Sequence, residues 1–115
     1  MKSSGKMGSN ISALKQASKA AYKAANKVKN FSVSNKHLQS AGGRWQKFAT
    51  DSKGEVNAWI KEALESPHAQ FLPNKEPNSY RVITNLSRSI GTKGETKIQV
   101  IIGEGGNIWT AYPVK

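Results

Sequence analysis

The side chains of this sequence that are able to do chemistry are mostly cations and hydroxyls: Lys36, His37, Arg44, Lys47, Arg81, Arg88, Thr92, Lys93, Thr110 and Tyr112. The two histidines, His37 and His68, stand far apart with no carboxylate cluster beside either, so no metal ligand set is nominated. There is no cysteine, which removes thiolate nucleophiles, Cys-bound zinc and iron–sulfur clusters. Gly91-Thr92-Lys93-Gly94 lacks the GK[ST] ending of a phosphate loop and reads as a hairpin turn. The seven carboxylates fall on a helix surface, in loops and in turns, which argues against a paired-carboxylate acid–base mechanism. The remaining inventory suits one reaction. RNA can be cut without a metal because its own 2′-OH attacks the adjacent phosphate. That needs a group to take the 2′ proton, a donor for the 5′ leaving oxygen, and cations for the charged phosphorane. Histidine is the acid or base that works near neutral pH. Arg and Lys bind phosphate oxygens, and Thr and Tyr hydroxyls add hydrogen bonds. No cofactor is implied.

The elements that must position these groups follow from the pattern. Ser34 and Asn35 are good N-cap types, which places His37 in the first turn of a short helix ended by Gly42-Gly43. Arg44–Phe48 reads as a further short helical or turn segment, with Trp45 and Phe48 as core anchors and Arg44 and Lys47 on the other face. Residues 53–65 form the clearest helix: Val56, Trp59, Ile60, Ala63 and Leu64 recur at helical spacing, Asp51 or Ser52 caps it, and Pro67 stops it. Pro67–Asn78 is a proline-rich loop with room for an edge strand at Gln70–Leu72, and His68 in it reads as a surface residue. Three β-rich runs follow, Tyr80–Leu86, Thr96–Ile102 and Asn107–Tyr112, separated by glycine-bearing turns. Alternation in the last run puts Ile108, Thr110 and Tyr112 on one face, with Trp109 and Ala111 on the other. Thr110 and Tyr112 then lie on a cleft floor or are ordinary β-formers on a half-buried face. All three tryptophans read as core. Helices first and antiparallel strands last predict an α+β domain, with N-terminal helices packed on a C-terminal antiparallel sheet of four or five strands.

Charge divides the chain unevenly. The net charge is +11, yet the first fifty residues hold ten Lys/Arg and no acid, against eight basic and seven acidic residues afterwards. Such a field favours polyanions. Residues 1–9 read as a disordered leader, with Ser9 or Asn10 capping a helix over 11–29. Ile11, Leu14, Ala17, Ala21, Ala25 and Val28 form its thin apolar stripe, and Lys15, Lys19, Lys23 and Lys27 a ladder at every fourth position. The ladder is either a solvated face or a polyanion contact. The break at Asn30–Asn35 sets a domain boundary: residues 1–30 a basic helical lead, residues 31–115 the main domain. No apolar run approaches the length of a membrane span, and no apolar segment follows the N-terminal lysines as in a secretory signal.

The ending Ile90-Gly91-Thr92…Thr96–Ile101…Gly106-Asn107-Ile108-Trp109-Thr110-Ala111-Tyr112-Pro113, with Lys36-His37-Leu38 upstream, resembles the C-terminal toxin domains of bacterial contact-dependent growth inhibition proteins. Within that group it resembles the barnase/EndoU/colicin D/RelE (BECR) ribonuclease superfamily, and the resemblance covers roughly residues 33–115. It implies metal-independent RNA cleavage, with tRNA as the expected substrate and a 2′,3′-cyclic phosphate as the product. It also implies delivery from the producing bacterium's surface into a target cell's cytoplasm, a cognate immunity protein, and a monomer otherwise, with no stable membrane insertion. His37 matches the family's helix histidine, acid or base, and Thr110 and Tyr112 its terminal-strand hydroxyls. Arg81 matches its first-strand arginine, with Arg88 as competitor. Lys36, Lys47, Arg88 and Lys93 are phosphate-binding candidates. The competing expectation is a non-catalytic basic RNA- or DNA-binding module that works through the lysine ladder. A third, a membrane- or partner-docking helix, is weakened by the small alanine face.

Overall fold

Ser52 opens the helix that the apolar spacing predicts. Its hydroxyl accepts the Glu55 N–H at 3.1 Å and so satisfies one of the free donors of the first turn. Asp51 serves elsewhere, accepting from the amide and hydroxyl of Ser40. A computed structural model describes the backbone from Lys2 to Lys115 and the side chains from Lys15 onward. Helix α1 spans Lys2–Lys27 and α2 spans Lys53–Glu65. The strands are β1 (Gln70–Pro73), β2 (Ser79–Asn85), β3 (Lys97–Gly103) and β4 (Ile108–Val114). They pair antiparallel in the order β1-β2-β3-β4, and both helices pack on one face. This is the expected α+β arrangement, with four strands. Pro73, which has no N–H to donate, sits on the edge strand.

The core lies between the helices and the inner row of the sheet. Val82, Ile98, Val100, Ile102 and Ala111 meet Val56, Ile60, Ala63 and Leu64 of α2. The Thr84 hydroxyl donates to the Ala63 carbonyl at 2.9 Å, which fastens β2 to α2. The alanine stripe of α1 enters the same core: Ala20, Ala21, Ala24, Ala25 and Val28 are all buried in it. Small side chains let this helix approach closely. The boundary expected near residue 30 therefore falls inside one continuous core. Helix α1 starts at Lys2, so the expected leader is helical from there, and Ser9 and Asn10 are interior to the helix instead of capping it. Met1 and the side chains of Ile11 and Leu14 lie outside the described residues.

Three placements differ from the sequence reading. The β3–β4 register shifts between Ile101 and Ile102, with Ile101 opposite Thr110 and Ile102 opposite Ile108. Trp109 is the extra, bulged residue. Ile108 therefore turns to the core, away from the face of Thr110 and Tyr112, and Trp109 is 45% exposed instead of buried. Trp45 is likewise 52% exposed, whereas Trp59 packs on the core against Phe48. Finally, residues 44–48 are not helical. Phe48 N–H donates to His37 O at 2.8 Å, Ala49 N–H to Ile90 O at 2.8 Å and Thr92 N–H to Lys47 O at 3.0 Å. These backbone groups pair with neighbouring chain in place of helix bonds.

Candidate active site

The outward face of the sheet carries the side chains left over by the core. The register aligns Arg81, Ile101 and Thr110 in one row across β2, β3 and β4, and Ile83, Gln99 and Tyr112 in the next. Strand spacing puts the Arg81 and Thr110 backbones roughly 10 Å apart, and Thr110 and Tyr112 about 7 Å apart along β4. Arg81 is steadied by its Nε, which donates to the Pro73 carbonyl at 3.2 Å, and its terminal nitrogens bond no described residue. Gln99 donates its amide to the Tyr112 hydroxyl at 2.7 Å. A phenol that accepts this bond keeps its own proton to donate. A cleft of about 510 Å³ opens here, lined by Arg81, Gln99, Tyr112 and Lys75 among others.

His37 joins this face from a distant part of the sequence. It ends a single 3₁₀ turn, Asn35–His37, whose Ser34 makes no side-chain cap. The histidine is held from two sides: its carbonyl accepts from Phe48 N–H, and its Nδ1 lies 2.6 Å from the Gln46 carbonyl. A carbonyl only accepts, so Nδ1 carries the proton and Nε2 has the lone pair. The ring packs on Tyr112 with centroids 5.3 Å apart, and Trp45 meets it edge-on at 6.3 Å. His37 is only 3% exposed. Its Nε2 makes no hydrogen bond to a described residue. Burial pushes the imidazole pKa below its ordinary value. The Gln46 carbonyl pulls back upward and the Lys36 charge adds to the lowering. His37 is accordingly neutral at pH 7.

The remaining cations divide. Lys36 Nζ stands 3.9 Å above the Trp45 ring, a cation–π contact. Lys47 Nζ donates to Gly43 O at 2.7 Å and Trp45 O at 3.4 Å, which ties the loop that covers His37. Lys47, Lys93 and Arg44 line a second cleft of about 310 Å³ together with Trp45. Arg88 goes elsewhere. It grips both carboxylate oxygens of Glu62 on α2, at 2.7 and 3.0 Å, and holds that carboxyl below its ordinary pKa. Thus the fold brings His37, Arg81, Thr110 and Tyr112 to one face, sets Lys36 over Trp45 and Lys47 and Lys93 in the second cleft, and leaves Arg88 paired with the helical layer. His68 is exposed.

Several residues of this region were not singled out by the sequence. Gln99 had a signal, its outward place in the β3 alternation. Glu95 is 7% exposed, accepts the Lys93 N–H at 2.9 Å and lines the second cleft. A side chain at Gly91 would meet it, since a Cβ there falls on Glu95 Oε1. Gln46 acts through its backbone carbonyl, so no side-chain signal existed. Compared with protein-family models, curated proteins and solved structures, the chain matches none.

Proposed function

We propose that this chain is a metal-independent endoribonuclease in which His37 Nε2 takes the 2′ proton. One observation carries the reading: a neutral histidine with a fixed tautomer lies against Tyr112 on the face that also presents Arg81 and Thr110. Arg81 supplies charge to the phosphate, and Tyr112 and Thr110 supply hydrogen bonds to the phosphorane oxygens. The 2′ oxygen loses its proton to Nε2 and bonds to phosphorus, the P–O5′ bond breaks, the 5′ oxygen takes a proton from water, and a 2′,3′-cyclic phosphate remains. The imidazole is nearly enclosed, so RNA docking must displace the Trp45–Lys47 loop that covers it. The family resemblance adds tRNA as the substrate, cell-to-cell delivery and an immunity protein as partner.

His37→Ala should abolish cleavage of mixed cellular RNA while leaving far-UV circular dichroism unchanged. Cleavage by the wild-type chain should persist in EDTA and leave cyclic-phosphate ends. Full activity without His37 sinks this mechanism. The 3% exposure of His37 favours a second reading, a binding module in which the histidine only braces the loop. In that case no variant cuts RNA and wild type and His37→Ala bind it alike.

A further inference from the structure

Among the described residues, the outward face ends at an aromatic surface that the proposed chemistry does not use. Trp109 is 45% exposed although it lies in a strand. The bulge opposite Ile101–Ile102 is what expels it from the core. The indole settles over Gly103 of β3, where a Cβ would stand 3.0 Å from Nε1. Gly103 pairs with Ser79 on β2, one outward row beyond Arg81, Ile101 and Thr110. Trp109 therefore lies roughly 7 Å along the sheet from the Arg81–Thr110 row, and about 13 Å from the Tyr112 row. That places a flat, half-open indole beside the row that holds Arg81, within the span of a nucleotide adjoining a phosphate at Arg81.

The geometry points to Trp109 as a stacking platform for a base of single-stranded RNA, next to the phosphate held by Arg81. Every base has a π-face, and a base stacked on an aromatic side chain gains affinity without sequence reading. A paired base is already stacked and cannot lay its face on the indole. The platform therefore selects unpaired nucleotides. Covering Gly103 is a structural task that any apolar side chain can perform, so the stacking role is separable from it. The inference rests on the RNA-binding part of the proposed function and not on cleavage.

The test uses a fluorescein-labelled 2′-O-methyl RNA oligomer, which cannot be cut, with anisotropy as the readout. Trp109→Leu keeps an apolar cover over Gly103 but has no π-face. Trp109→Phe keeps a smaller π-face. The Leu variant should bind the single strand more weakly by on the order of tenfold, with Phe between it and wild type. Binding of the same oligomer annealed to its complement should not change. Equal single-strand binding by the Leu variant and wild type overturns the proposal, as does an equal loss on single strand and duplex, or no binding at all. If the Leu variant loses binding while the wild type cuts no RNA, the platform stands and the ribonuclease reading falls. If RNA is cut and Trp109→Leu changes nothing, the reverse holds.

Discussion

His37 has its proton on Nδ1 because the Gln46 carbonyl accepts it, and its charge is suppressed because the ring is buried. Its folded pKa lies below the ordinary 6.5, so between the two values the unfolded chain binds more protons. Stability is complete above about pH 6.5 and falls as pH drops through the folded value. Urea denaturation at pH 7.5 and pH 5 should show this loss, and His37→Gln should remove its histidine component. Trp45 supplies much of the cover. Trp45→Ala should raise the His37 pKa toward 6.5, as read from the imidazole proton shifts in an NMR titration. An unchanged titration would show that other groups enclose the ring. The arginines separate on equally local grounds. Arg81→Ala should lower kcat/KM for RNA cleavage by about 100-fold, a typical value for a lost charge-stabilising donor. Arg88→Ala should leave it within about 2-fold, because Arg88 is spent on Glu62. With both partners half exposed, its loss costs stability by at most about 1 kcal/mol. Equal effects of the two substitutions would show that Arg81 has no special place at the phosphate.

Among the elements, α1 has two roles on opposite faces. Its alanine face is core, so removing residues 1–30 would strip a structural layer and could not test polyanion binding alone. Substitution can. Lys15, Lys19 and Lys23 are exposed, and Lys27 donates to Gly105 O at 3.2 Å beside the β3–β4 turn. Changing Lys15, Lys19 and Lys23 together to Gln should weaken binding of a non-cleavable oligomer. If each meets a phosphate, the slope of log K against log salt should flatten by about 2. An unchanged slope makes the ladder a solvated face. The β3–β4 turn depends on Gly106 twice over. Its φ is +90°, a region that disfavours L side chains, and a Cβ would stand 2.5 Å from Lys23 Cβ and 3.1 Å from Ala24 N. Gly106→Ala should cost about 1–3 kcal/mol, visible as a lower denaturation midpoint. It should also loosen α1 from the turn, increasing amide exchange in both.

For the whole molecule, no helix among the described residues is long and apolar enough to cross a membrane. The net charge of +11 favours approach to a polyanion, and two clefts, one lined by Arg81 and Lys75 and the other by Arg44, Lys47 and Lys93, carry part of it. The sequence by itself determined the elements whose signals are local. Val56, Ile60 and Leu64 with the Ser52 cap set α2, and period-2 runs with glycine turns set the meander. Alternation in the last run also put Thr110 and Tyr112 on one face, a cleft floor or a half-buried row, while Arg81 came from the family resemblance. What sequence left open was long-range. The stripe ending at Val28 read as thin, yet alanines pack closely when another helix supplies the bulk, as Ile60 and Leu64 do here. One extra residue in β4 reversed the faces of Ile108 and Trp109, because a bulge shifts pairing without altering composition. That Arg88 pairs with Glu62 while Arg81 shares a face with Thr110 depended on where Glu62 lies across the fold. Whether His37 meets the sheet depended on backbone bonds from Phe48 and Ala49 that carry no side-chain signature. Only tertiary structure brings those together, since contacts between residues far apart in the chain are set by closing the loop between them and not by the pattern within either segment.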